Sequence, residues 1–354
     1  MSSAAEAPGN DGSTLAPDIR ADDTALKVQR GDFVVVPIPL SNPTLDTGLI
    51  VGGAYFYPQS ELEKKAQPAS LTALGALYTT NDSKGVALLQ QNYWNEDRWR
   101  FTGAAGAADL RLSLIAPEEG AEGRNVDWRV DGQFLFARLS RRLRGDWFVG
   151  GLARLIDAEQ FIETDVSTAD FDTLSQVRAV GLGGTLEFDT RDVPTNAHTG
   201  RYFKVDALFN DEAIGSEETY QSYLASYRSY HRIRESLILA WTLQGCRKEG
   251  TAPLWDACRL PLRGFSATDY LGRTALSGQV EARWRIQGRW GVALFGGSGW
   301  VGSSFSEAGR DETVPSYGIG LRYEVLPAKR INLRLDFAWS QDSDAVHLAV
   351  GEAF

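Results

Sequence analysis

The sequence predicts an all-β fold, a sixteen-stranded antiparallel transmembrane β-barrel. Three observations predict it. Apolar and polar residues alternate with a period of two along most of the chain beyond residue 31. The alternating runs are often roughly 10 to 15 residues long, where a soluble strand has about 5 or 6. Tryptophan and tyrosine stand near the ends of those runs, at Tyr55, Tyr57, Trp147, Tyr202, Trp284 and Trp300, as in the aromatic girdles of membrane barrels.

Residues 1–31 are rich in Ala, Gly, Ser, Pro and Asp and read as a flexible tail, too poor in bulky apolar residues to pack. The barrel is expected over residues 32–354. Its first strand is expected near Phe33 to Ser41 and its second near Gly48 to Pro58, with Asn42-Pro43 in the turn. Further along, Leu110, Leu112 and Leu114 oppose Asp109, Arg111 and Ser113. Trp128, Val130, Phe134 and Phe136 oppose Asp127, Arg129, Asp131 and Gln133. Leu182, Leu186 and Phe188 oppose Thr185, Glu187 and Asp189. The cleanest run sets Val280, Ala282, Trp284 and Ile286 against Gln279, Glu281, Arg283 and Arg285. A helix would scatter those charges around its circumference, whereas a strand sorts them to one face. The last four strands are expected near Trp290 to Val301, Ser316 to Leu326, Ile331 to Ser340 and Ala345 to Phe354, so that the chain closes on a strand ending in an aromatic. A soluble sandwich would show the same alternation. Strand length, the aromatic positions and the even count of sixteen favour the barrel, with mixed charges lining the lumen.

Composition agrees. The 354 residues carry 36 basic and 46 acidic side chains, a net charge of −10. That argues against nucleic acid as the main partner, because phosphate binding calls for a clustered basic surface. Mean hydropathy is −0.25, and no run approaches the roughly 18 apolar residues of a membrane helix. The most apolar stretch, Phe33 to Leu40, is broken by Pro37 and Pro39. Barrel strands average lipid-facing and lumen-facing residues, so such hydropathy suits them. The barrel reading implies the bacterial outer membrane, in contact with lipid and lipopolysaccharide. Residues 1–23 have no basic start and no apolar centre. A natural signal peptide is therefore expected to have been removed.

No enzyme signature emerges, and no cofactor or metal is implied. The three histidines, His198, His231 and His347, lack metal-ligand spacing, and no G-x-S-x-G elbow occurs. The glycine runs at 181–184 and 296–299 neither open a helix nor carry the Lys-Ser/Thr of a phosphate loop, and read as kinks in a curved sheet. Cys246 and Cys258 are the only cysteines. In an oxidising compartment the pair reads as one disulfide closing a surface loop. In the cytosol it would be two free thiols.

The segment Leu262-Arg263-Gly264-Phe265, followed by Tyr270-Leu271-Gly272-Arg273 and the strand carrying Glu281, resembles the sixth-loop motif of the outer-membrane barrel-assembly and translocation superfamily, to which BamA and TamA belong. Residues 183–192, Tyr317 to Tyr323 and Asn332 to Asp336 extend the resemblance over most of residues 180–354. The resemblance implies a sixteen-stranded barrel whose sixth extracellular loop folds inward. Its arginine, here Arg263, would meet acidic residues of the following strands, here Glu281. A guanidinium pairs bidentately with a carboxylate and does not titrate, and Gly264 allows a tight turn at the tip.

Two departures stand out. Where the family has Phe-x-Asp-x-Gly, this chain has Phe295-Gly296-Gly297-Ser298-Gly299, so Arg263 is expected to rely on Glu281 alone. The family usually carries periplasmic POTRA modules before the barrel, and with its short tail this chain is expected to resemble a short, barrel-only branch. The resemblance implies insertion or translocation of a polypeptide client through a weak seam between first and last strands, with a separate periplasmic partner. Pro37 and Pro39, which cannot donate ladder bonds, and Phe354 are the candidate seam residues. The alternative reading of the two prolines is an ordinary strand edge. The alternative functions are a passive pore, a structural barrel, or the barrel half of a split secretion system.

Overall fold

The computed structural model describes residues 31–116, 124–163, 175–193, 196–305, 313–327, 330–340 and 344–354. The first half of the chain gives β1 (Asp32–Asn42), β2 (Asp46–Phe56), β3 (Leu71–Thr79), β4 (Lys84–Trp94), β5 (Trp99–Ala116), β6 (Arg124–Arg144), β7 (Trp147–Glu163) and β8 (Ser175–Asp189). The second half begins with β9 (Gly200–Asn210), β10 (Tyr220–Arg234) and β11 (Leu237–Gly250). Two short strands follow, β12 (Cys258–Arg259) and β13 (Leu271–Gly272), which pair with each other. The chain then gives β14 (Thr274–Gln287), β15 (Trp290–Gly302), β16 (Val314–Leu326), β17 (Ile331–Ser340) and β18 (Asp344–Val350). Apart from β12 and β13, which lie in the long segment joining β11 to β14, the strands close one sixteen-stranded barrel in chain order. Each is antiparallel to the next.

The only regular α-helix among the described residues is α1 (Glu61–Ala66), between β2 and β3. Ser60 starts it with a capping box: its hydroxyl accepts from the Glu63 N–H, and the Glu63 carboxylate accepts from the Ser60 N–H.

Tight turns join the strands at one rim, such as Gly145–Asp146, Glu235–Ser236 and Gly288–Arg289. The other rim carries the longer connections, including 251–273. On most strands the side chains sort as the alternation predicts. Val280 and Trp284 face outward while Gln279, Glu281 and Arg283 are buried within. Trp147, Trp284, Trp290, Tyr317 and Trp339 are exposed on the outer wall, but Tyr202 turns under Arg191 and Trp300 is buried, so neither joins a girdle.

The sorting inverts near the long-loop ends of β5, β6 and β7. There Asp109, Arg111, Arg129 and Asp131 share the outer face, with Arg129 Nε donating to Asp109 Oδ1 at 2.7 Å. Leu110, Leu112, Trp128, Val130, Ile156 and Ala158 point inward and line, with Leu254, Trp255 and Leu271 of the 251–273 connection, an apolar cavity of about 640 Å³. The charges of these stretches therefore do not line the lumen. The physical reason is length. β5 has 18 residues and β6 has 21, well beyond the roughly 9 to 11 that cross a bilayer. Where the wall has water outside and an apolar cavity roofed by the connection inside, the favourable arrangement is charge outward and apolar inward.

The final strand also departs from expectation. β18 stops at Val350 rather than Phe354, because Gly351 takes a left-handed backbone (φ 93°) that turns the chain inward. Phe354 packs in the lumen against Ala197, Tyr230 and Ala240.

Candidate functional site

The connection 251–273 dips into the barrel and presents Arg263 to the inner wall. Apolar packing holds it there: Cys258, Leu260, Leu262 and Phe265 are buried with Ala275 and Val314 of the wall. Phe265 meets Tyr270 edge-on at 5.3 Å. Gly264 has φ 100°, a conformation that carries a strain penalty for any residue with a Cβ. Its N–H donates to His347 Nε2 at 3.3 Å. The Arg263 carbonyl accepts from the Ser316 hydroxyl, and Ala267 N–H donates to Thr44 Oγ1 at 2.7 Å, tying the connection to the β1–β2 turn.

Cys246 and Cys258 form a disulfide, but it does not close a surface loop. Cys246 lies on β11 among inward-facing residues, and Cys258 is buried. The bridge pins the connection to the inside of the wall. Cross-linking a loop of this size is worth about 3 kcal/mol in the chain-entropy account.

Arg263 is 6% exposed and enters a buried network of charges. Its Nη1 lies 2.6 Å from Glu281 Oε2 and 2.8 Å from Asp336 Oδ2. Its Nη2 donates to Gln279 Oε1 at 2.8 Å, and its guanidinium stacks on the Phe295 ring at 3.4 Å. So Arg263 does not rely on Glu281 alone. Gln279 and Asp336 occupy the role that an acid at 297 would play, and they come from β14 and β17. An acid at 297 has no room on this backbone, because a Cβ there would collide with the Gly278 carbonyl oxygen.

The network extends further. Arg283 Nε lies 2.6 Å from Glu281, Arg322 Nη1 2.5 Å from Asp336, and Arg334 Nη1 3.3 Å from Asp336. Glu352, on the inturned segment after β18, pairs with Arg322 at 2.9 Å and lies 3.6 Å from Arg283. Four guanidiniums thus share three carboxylates. Glu281 and Asp336 are fully buried, and burying them is tolerable only because each is paired on several sides. Arg283 belongs to a charged face visible in the sequence, and Arg322, Arg334 and Asp336 lie in segments that extend the resemblance, yet nothing in the chain order says that they converge. Among the described residues, no group of His, Cys, Asp or Glu could hold a metal ion.

No family model and no curated protein sequence matches the chain. Solved structures do. BamA from Haemophilus ducreyi lacking POTRA domains 1–3 superposes with a TM-score of 0.60 at 12% identity, over 91% of this chain and 70% of that one. The chain shares its fold with BamA. CdiB from Acinetobacter baumannii aligns with a TM-score of 0.59 at 12% identity, over 93% of this chain and 60% of that one. CdiB from Escherichia coli gives 0.59 at 9% identity, over 95% and 69%.

In this BamA-like barrel the closing seam lies between β1 and β18. β1 pairs with β2 along its whole length, from Asp32↔Phe56 to Asn42↔Asp46. With β18 its register among the described residues is one pair, Ser41↔Leu348. The direction of the ladder bonds explains where the prolines sit. Thr80 N–H donates to the Thr47 carbonyl, so the odd residues of β2 turn their backbone groups toward β3. Their partners on β1, Pro37 and Pro39 among them, therefore turn theirs toward the seam. There they offer no N–H. Continuing the Ser41↔Leu348 register brings Pro39 opposite Val350, where β18 ends. The structure thus keeps Pro37 and Pro39 at the seam and takes Phe354 away from it.

Proposed function

We propose that this chain is a bacterial outer-membrane barrel that inserts or translocates polypeptide through the seam between β1 and β18, with a separate partner delivering the client. The observation that carries this reading is the seam itself, in which a strand facing its neighbour with two prolines is registered, among the described residues, through one residue pair. Unpaired backbone in lipid is costly, so such a seam is a template on which an extended client strand adds. The long-loop rim then faces outward and the short-turn rim faces the periplasm. The Arg263 network would hold the connection across the lumen while the seam is used. The likeness to BamA is one of fold, and the seam is what makes the analogy functional rather than architectural.

The test is site-specific crosslinking in living cells from Val35, which is 57% exposed on the outer face of β1, with mass spectrometry of the adducts. Adducts to a nascent barrel or a secreted polypeptide are the expected result and would name the client. Adducts confined to β18 would mean a permanently closed seam and would overturn the reading in favour of a passive or structural barrel.

A further inference from the structure

Many inward-facing cations among the described residues are paired with carboxylates; around one cavity, two are not. Arg138 and Lys204 share Asp206, at 3.1 and 2.7 Å. Arg154 and Lys248 share Asp256, at 2.6 and 3.0 Å. Arg228 on β10 and Arg259 on β12 reach no carboxylate among the described residues. The contact of the Arg228 guanidinium is the Tyr202 ring at 5.7 Å, a ring already covered by Arg191 at 4.1 Å. The Arg228 Nε is buried and without an acceptor.

Both arginines line one lumen cavity of about 300 Å³, together with Lys204, Lys248, Asp206 and Asp256. Counting Arg138 and Arg154, which hold the same two aspartates, six cations stand around Asp206 and Asp256, and the one further carboxylate beside them, Glu187 opposite Lys204, is already bonded to Arg100. This concentration of positive charge stands inside a chain whose net charge is −10. Like charges gathered in a partly desolvated space repel strongly unless a counter-charge enters. Arg259 directly follows Cys258, so the disulfide to Cys246 fixes its position at the cavity wall.

We propose that this cavity is a binding site for a small polyvalent oxyanion, its phosphate or carboxylate groups held by Arg228 and Arg259. The guanidinium fork suits such groups because two parallel N–H donors match two oxygens. The volume is at the small end of ligand cavities, about 300 to 1,000 Å³, and fits a compact di- or trianion rather than a folded chain. The site is independent of whether the seam opens.

The experiment is isothermal titration of the full chain in detergent at low salt with inorganic pyrophosphate and, separately, citrate. Saturable binding of one or both is expected, and the better probe tells phosphate from carboxylate. Arg228→Gln and Arg259→Gln are each expected to weaken it about tenfold or more, while Arg228→Lys retains part of it. Arg141→Gln, on the outer face, should leave it unchanged. Heat-modifiable gel migration and an intact disulfide verify folding of each variant. Absence of saturable binding by either probe would overturn the site. So would equal affinity in wild type and both glutamine variants, or an equal loss with Arg141→Gln.

Discussion

Replacing Arg263 by alanine should cost less stability than neutralising Glu281, although the two form one ion pair. The network sets the order. Without Arg263, Glu281 keeps Arg283 at 2.6 Å and Asp336 keeps Arg322 and Arg334 at 2.5 and 3.3 Å. Three guanidiniums then face three carboxylates, and no buried charge is left alone. The loss is that of the charged hydrogen bonds and the Phe295 stack, about 2 to 3 kcal/mol. Glu281→Gln instead leaves four guanidiniums around two carboxylates, and uncompensated buried charge costs about 3 to 5 kcal/mol. For the same reason the double reversal Arg263→Glu with Glu281→Arg should not recover stability. A guanidinium at position 281 would face Arg283 and Arg322. The assay is urea unfolding of the barrel in detergent, followed by tryptophan fluorescence and by the gel mobility of the folded form. An Arg263→Ala variant as unstable as Glu281→Gln, or recovery by the double reversal, would refute the network account and reduce the site to an isolated pair.

Other outcomes follow from the same structure. Gly297→Asp, which restores the acid of the family motif, should destabilise by about 1 to 3 kcal/mol through overpacking, since its Cβ would collide with the Gly278 carbonyl oxygen. A stabilised variant in the same urea assay would show that the backbone yields there. A non-reducing peptide map should recover Cys246 and Cys258 in one linked species, and Cys258→Ser should open the 251–273 connection to proteolysis. Unchanged cleavage would mean that apolar packing alone holds it. At the short-turn rim, burial, with the nearby Arg330, pushes His198 down to about 4. The unfolded chain takes up that proton near its ordinary 6.5, so stability should be full above about pH 6.5 and fall as the pH drops toward 4. Urea midpoints at pH 7.5 and 5 should differ less in His198→Gln than in wild type, and an equal difference in both would dismiss the assignment.

Much of the architecture is legible in the residue order, because a period of two is a local property. Val280 to Ile286 against Gln279 to Arg285 needs only the strand pleat to sort it, and sixteen such runs punctuated by turns fix a closed antiparallel wall. Arg263 and Glu281 are readable too, since motif and strand follow one another closely. What the sequence leaves open depends on geometry between distant segments. Period two does not say which face is wet. Asp109 and Arg111 therefore look like lumen residues until the length of β5 places them beyond the bilayer, with an apolar cavity behind them. Asp336, Arg322 and Glu352 join Arg263 only because barrel closure brings β14, β16, β17 and the segment after β18 around one point. Phe354 turns inward only because Gly351 permits a left-handed backbone and Arg283 and Tyr230 receive the ring. The sequence by itself determined the strands and the arginine. Tertiary structure decided which charges are buried together, because the low dielectric of the lumen makes partners of whatever the closed wall brings into reach.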